Sequence, residues 1–176
     1  MAEDPFEEKN NMRLFVAITL SEEMKAAIIS LMHEMKPHVK GKYTPVQNLH
    51  LTLAFIGEIK NVSEVRDALG KISVKPFKLS LTDIGNFGDL LWIGVKGNQG
   101  LSGAAKAVRD ALDNAGIDYD RKGFTPHITI VRNASGRWQG IKAPKTEMMV
   151  KRVSLMKSEQ RNGKTVYSEV KLAENH

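Results

Sequence analysis

Cysteine is absent from this 176-residue chain. That removes disulfide staples, thiolate zinc sites, iron–sulfur clusters and a cysteine nucleophile. Proline is sparse at 6 residues and glycine stands at 14 without a repeat period, which excludes collagen-like and proline-rich filaments. Aromatic residues make up only 6%, and neither an arginine-rich run nor a basic stretch interleaved with aromatics occurs. Long apolar runs are missing too. The strongest, Leu49–Ile56, falls far short of the roughly 20 residues that span a bilayer. The opening Met-Ala-Glu-Asp-Pro-Phe-Glu-Glu is acidic and lacks the apolar segment of a secretory signal. The expectation is a cytoplasmic protein with no membrane partner.

What remains is the composition of a globular chain, with 41% apolar and 26% charged residues. A net charge of +6 favours polyanionic partners only modestly at this size. Residues 1–12 are polar and patternless and read as a disordered leader; residues 13–176 read as one domain of two joined lobes. Arg13–Thr19 suits a buried strand. Ser21 can cap a helix whose Met24, Ile28, Leu31 and Met35 form one apolar stripe, ended by Pro37. Leu49–Ile56 alternates as a strand. Val62, Val65, Leu69 and Ile72 mark a second helix, capped by Asn61 or Ser63. Strands follow over Phe77–Ile84 and Leu90–Val95, with a turn-rich link at Gly85–Asp89 between them. Leu101, Ala105, Val108 and Leu112 line a third helix closed by Gly116. His127–Val131 is a further strand. Segments near Thr146–Lys157 and Thr165–Leu172 flank a turn at Arg161-Asn-Gly163.

The chain matches itself at a constant offset of 77 residues. Leu14–Ile18 maps onto Leu91–Val95, the stripe Met24, Ile28, Leu31, Met35 onto Leu101, Ala105, Val108, Leu112, and His50 onto His127. A duplicated β-α-β half paired about a pseudo-two-fold axis is the economical reading.

Alternation puts His50 and Thr52 on one face of their strand and Leu49, Leu51 and Leu53 on the other. His127 and Thr129 share a face in the same way, opposite Ile128 and Ile130. A lone His-x-Thr is most simply a solvent-facing pair. With 5 histidines and 8 threonines in the chain, composition alone predicts roughly 0.2 occurrences, yet two occur at equivalent points of the repeat. His33, His38 and His176 show no such pattern and read as solvated or terminal.

Two imidazoles with an ordinary pKa near 6.5 can supply one proton acceptor and one donor at neutral pH. That equips a site for in-line phosphoryl transfer, with threonine hydroxyls and the guanidinium of Arg132 facing the non-bridging oxygens. A metal site fares poorly, because two histidines without a patterned carboxylate or thiolate leave zinc under-ligated. Glu58 and Asp83 show no ligand spacing. Neither a Gly-x-Ser-x-Gly elbow nor a phosphate loop of the Gly-x-x-x-x-Gly-Lys type is present.

His50-Leu-Thr-Leu-Ala-Phe-Ile-Gly-Glu58 and Phe124-Thr-Pro-His-Ile-Thr-Ile-Val-Arg132 resemble the paired signatures of the two-histidine (2H) phosphoesterases. Within that superfamily the resemblance is to RNA 2′,3′-cyclic phosphodiesterases, also called 2′-5′ RNA ligases of the LigT/ThpR type. It extends from Arg13 to the end and includes Arg13-Leu-Phe-Val-Ala, Leu91-Trp-Ile-Gly94 and Ser158…Gly163…Tyr167. The resemblance implies a bilobal α+β fold of two antiparallel sheets facing a central groove, with helices outside. It implies hydrolysis of RNA terminal 2′,3′-cyclic phosphate to a 2′-phosphate, without metal or cofactor and with tRNA fragments among candidate substrates, and a reverse 2′-5′ ligation. His50 would then be the general acid, His127 the base, and Thr52, Thr129 and Arg132 the phosphate holders. Tyr43 would stack a base, at a position where the family more often has tryptophan. Lys42, Arg121 and Lys122 would be rim charges. The alternatives are a phosphodiesterase of small cyclic nucleotides or 2′-5′ oligonucleotides, and a non-catalytic RNA-binding module. A monomer is expected, since no apolar stripe is left over once the cores are filled.

Overall fold

The computed structural model describes residues 13–173; the leader expected over residues 1–12 lies outside the described residues. β1 (Arg13–Thr19) is buried from Leu14 to Ile18. α1 (Glu22–Met35) starts where the Ser21 hydroxyl oxygen accepts from the Met24 N–H at 3.1 Å, with Glu22 and Glu23 at the positive end of the helix. Its expected stripe is buried, joined by Met32. The chain then forms β2 (Val39–Tyr43), a strand that no apolar alternation announces because Lys40, Gly41 and Lys42 are exposed. A short 3-10 turn (Val46–Asn48) leads into β3 (His50–Glu58). The remaining elements are α2 (Val62–Gly70), β4 (Phe77–Phe87), β5 (Leu90–Val95), α3 (Gln99–Asn114), β6 (His127–Gly136), β7 (Glu147–Val150), β8 (Ser154–Arg161) and β9 (Lys164–Val170).

The local signals hold with four adjustments, the first being that the strand expected over His127–Val131 runs on to Gly136 as β6 pairs with β2. β4 runs through Gly85 to Phe87, so the reversal narrows to Gly88 and Asp89, with Gly88 at φ 60. The segment read as one strand over 146–157 divides into β7 and β8, which lie in different sheets. Asn61 stands at the start of α2 without a side-chain bond, and Ile72 falls beyond its end. α3 closes as its glycine predicts, with Gly116 at φ 69 and the Ile117 N–H bonded to the Leu112 carbonyl at 2.9 Å. Asn162 at φ 52 and Gly163 at φ 75 make the β8–β9 turn. Among the described residues no helix is long and apolar enough to cross a membrane.

Every strand pairing is antiparallel. One sheet has the order β3-β1-β8-β9, the other β2-β6-β5-β4-β7. The repeat is visible in it: β1 pairs with β3 in the first sheet as β5 pairs with β6 in the second. The halves are interwoven, however. β2 crosses to the second sheet beside β6, and β8 and β9 return to complete the first. The backbone N–H of Ser21, at the start of α1, meets Met148 Sδ of β7 at 3.5 Å. From α3, Arg109 reaches the Leu53 carbonyl of β3, and Asp120 N–H beyond it reaches that of Phe55. Each lobe is thus finished by pieces of the other half.

Leu51 sits between His50 and Thr52 with no exposed surface and anchors the motif strand. Leu51→Ala is expected to cost about 2–5 kcal/mol in a denaturant titration, the range for deleting a buried leucine side chain.

Candidate active site

On β3, Leu49, Leu51 and Leu53 are buried while His50 and Thr52 are half-buried. On β6, Ile128 and Ile130 are fully buried and His127 and Thr129 half-buried. Strict alternation would carry Arg132 to the aliphatic side with Ile128 and Ile130. The pairing shows why it does not. Thr129 opposes Trp92 and Val131 opposes Leu91, so Ile130 is an extra residue on its strand. This bulge shifts the side-chain parity and turns Arg132 to the polar side. β3 repeats the device: Thr52 opposes Ala17 and Ala54 opposes Val16, leaving Leu53 as the extra residue and bringing Phe55 to the same side as His50. Leu53 and Ile130, like Phe55 and Arg132, stand at the 77-residue offset.

Both imidazoles are held by one kind of bond. His50 Nδ1 lies 2.7 Å from the Asn48 carbonyl and His127 Nδ1 2.7 Å from the Thr125 carbonyl. A carbonyl only accepts, so each Nδ1 carries the hydrogen and each neutral ring keeps Nε2 as an acceptor. His50 Nε2 receives the Thr52 hydroxyl at 2.8 Å. Aromatic rings fix both. Phe15 and Tyr167 stand 4.8 and 5.1 Å from the His50 ring. Phe87 and Trp92 stand 5.3 and 6.2 Å from that of His127. Trp92 lies over Gly85, where a Cβ would collide with the indole.

Two cavities open on this face and share His50, Arg132, Thr165 and Tyr167. One, of about 430 Å³, adds Thr52, Arg13, Phe15 and Phe55. The other, of about 580 Å³, adds Thr129, Tyr43, Lys42 and Lys164. Groups from both sheets therefore converge, with His50 and Thr52 from β3 and Thr129 and Arg132 from β6. Burial holds the His50 pKa below the usual histidine value; the bond to Asn48 opposes this, and the positive charges of Arg132 and His127 add to the lowering. His127 itself lines neither cavity. Among the described residues no three His, Asp or Glu side chains come together as a metal-binding group.

The sequence-predicted residues are not all alike. Tyr43 lines the second cavity, but its hydroxyl is committed to the Val39 carbonyl at 2.7 Å, and burial pushes its phenol up. Lys42 is on the cavity rim. Arg121 and Lys122 line neither cavity; Arg121 is engaged by Asp113 at 2.8 Å. Sequence reasoning missed Phe15, Phe87, Trp92 and Tyr167 as ring supports. The offset held a signal, since Phe15 maps onto Trp92 and Asn48 onto Thr125.

Comparison with known proteins gives the family. The family model of the 2′-5′ RNA ligase superfamily matches residues 22–162. The chain belongs to that superfamily. The RNA 2′,3′-cyclic phosphodiesterase of Escherichia coli K12 is 35% identical over 128 residues, covering 70% of this chain and 73% of the relative. The enzyme of the same name from Archaeoglobus fulgidus is 30% identical over 69% of this chain and 72% of its own. Among solved structures, E. coli LigT complexed with NADP+ superposes with a TM-score of 0.78 at 30% identity, covering 92% of this chain and 95% of that one.

Because folding lowers the His50 pKa, the unfolded state binds more protons as pH falls below 6.5, and the contribution of His50 to stability declines there. The imidazole resonance of His50 is expected to titrate with a midpoint below 6.5 by NMR, and Phe15→Ala, which opens the ring to water, to move that midpoint upward.

Proposed function

We propose that the chain hydrolyses the terminal 2′,3′-cyclic phosphate of RNA to a 2′-phosphate by paired histidine acid–base catalysis, needing no metal or cofactor. The observation that carries this reading is the matched pair of imidazoles, each with Nδ1–H tied to a backbone carbonyl, together with cavities at His50 to which both sheets contribute hydroxyls and a guanidinium. The names of the relatives support the substrate class.

In this mechanism His127 takes a proton from water through Nε2 as the water attacks phosphorus. His50 gives a proton from Nε2 to the departing 3′ oxygen. Each positioned group of this kind is worth about 10²–10⁴ in rate. Thr52, Thr129 and Arg132 donate to the non-bridging oxygens, where charge builds in the transition state. A neutral His50 cannot act as acid, and burial favours the neutral form. The phosphate resolves this by bringing a negative charge beside the ring, which favours imidazolium. Tyr43 flanks the terminal base, and the reverse reaction joins a 2′-hydroxyl end. The protein acts as a monomer in the cytoplasm, residues 13–176 working as one bilobal unit, with tRNA fragments among its substrates.

The test is an RNA oligomer ending in 2′,3′-cyclic phosphate, incubated with EDTA. Wild type is expected to open the ring, and His50→Ala and His127→Ala to lose about 10²–10⁴ of the rate. Turnover abolished by the chelator overturns the metal-free mechanism, and unimpaired histidine variants overturn the roles. The pH profile of kcat/KM is expected to be bell-shaped, with apparent values belonging to the coupled pair; a steady rise from about pH 5 to 9 contradicts it. Arg132→Ala is expected to lower kcat more than it raises KM, because the guanidinium acts on charge formed in the transition state.

A further inference from the structure

Charge is distributed unevenly around the candidate site. Residues 35–57 contain no Asp or Glu but carry Lys36, Lys40 and Lys42, and residues 121–146 contain none either but carry 6 Lys and Arg. The fold lays these two acid-free stretches side by side, because β2 pairs with β6. Lys42 stands opposite Arg132 and Lys40 opposite Ser135, and the Arg137 N–H reaches the His38 carbonyl at 3.2 Å. Asp89 approaches β6 from the other side, through its carbonyl bond to Ala134.

Several cations elsewhere on the surface are matched with anions, as in Lys78–Glu147, Arg121–Asp113 and Arg152–Glu169, while among the described residues others, Lys71 and Lys75 included, form no ion pair. Among the described residues Lys36, Lys40, Lys42, Arg132 and Arg137 form no ion pair. β2 is also the edge strand of its sheet, so its outer side is open. The strip begins at the cavity, where Lys42 and Arg132 line the same wall as His50. At about 3.4 Å per residue it extends roughly 14 Å from Arg132 to Gly136.

We infer that this edge of β2, continued by Arg137, seats the RNA strand leading up to the terminal phosphate. The substrate class is then a single-stranded oligonucleotide end rather than a mononucleotide. The inference rests on the function proposed above and adds where the body of the substrate lies. Phosphates of a single strand, each neutralised by a lysine or arginine, make binding salt-dependent in proportion to the number of contacts. Tyr43 and Lys42 mark where the strand leaves the cavity.

The experiment compares an eight-nucleotide single-stranded RNA with a mononucleotide, both measured as 2′-phosphate products for binding and as 2′,3′-cyclic phosphates for turnover. The variant is Lys40→Ser combined with Arg137→Ser, two exposed positions outside the catalytic cavities. Expected is about a ten-fold loss of oligonucleotide affinity at low salt, with the slope of log affinity against log salt falling by about 1.4. The mononucleotide is expected to bind and react as with wild type, which also certifies the fold. Lys71→Ser with Lys75→Ser removes the same charge beside α2 and is expected to change neither. Unchanged oligonucleotide affinity in the first variant overturns the inference. So does an equal loss for the mononucleotide, or an equal loss in the second variant. If wild type shows the oligonucleotide effect but opens neither cyclic phosphate, the proposed activity fails while the strip stands. If both substrates are opened equally well by wild type and variant, the activity stands and the strip fails.

Discussion

A β-strand shows only every second side chain to a given face, yet the proposed site draws on positions 127, 129 and 132 of one strand. No register of a regular strand satisfies that spacing while keeping Ile128 and Ile130 in the core. The extra residue at Ile130 resolves the conflict by shifting parity once, between the hydroxyl and the guanidinium. The same shift at Leu53 brings Phe55 rather than a cation to the groove. One irregularity used twice thus gives the two halves different third groups: an aromatic wall on one side and a guanidinium on the other.

Interweaving of the halves follows from where these strands lie. β3 is an edge of its sheet and β6 is interior to the other. β2 covers one flank of β6, so the stretch joining α1 to the first motif also builds the wall beside the second. β8 and β9 close the first sheet and deliver Tyr167 to His50. His127 finds both of its ring neighbours, Phe87 and Trp92, in its own sheet, but the first half does not carry a complete ring environment on its own. His50 needs a tyrosine from the far end of the chain, and the groove that holds His50 needs Arg132 from β6.

Much of this was legible in the sequence, for physical reasons that differ element by element. Both helices of the repeat announced themselves because a buried stripe must recur with the helical period and because Ser21 and Gly116 have few other uses there. The histidines and threonines were legible because alternation against leucine and isoleucine leaves only one face for them. β2 was not legible: Lys40, Gly41 and Lys42 are all exposed, so its existence depends on pairing with β6 and not on any pattern of its own. The division of 146–157 was hidden likewise, since β7 and β8 are each apolar enough to read as one strand while serving different sheets. Arg132 was named for its nearness to Thr129, although simple alternation would have buried it; only the bulge reconciles the two. The ring supports were hidden because Phe15 and Trp92 sit among core residues in sequence and differ from them only in what they touch.

The two imidazoles share a tautomer but not a setting, and the difference bears on their division of labour. His127 Nε2 has no hydrogen-bond partner among the described residues, as suits the base proposed to meet water. His50 Nε2 is met by the Thr52 hydroxyl. A hydroxyl has one hydrogen, so while His50 is neutral Thr52 spends it on the ring and has none to offer an anion. Protonation of Nε2 reverses that bond: the ring becomes the donor, the threonine oxygen accepts, and the hydroxyl hydrogen is released to point elsewhere. In the proposed mechanism the acid form of His50 and the phosphate-holding form of Thr52 are therefore one state. Burial disfavours that state in the free protein, and in the proposed reaction an entering phosphate, attracted to Arg132, supplies the charge that favours it. A low resting pKa is thus compatible with a general acid, because the same anion that needs the proton makes it available.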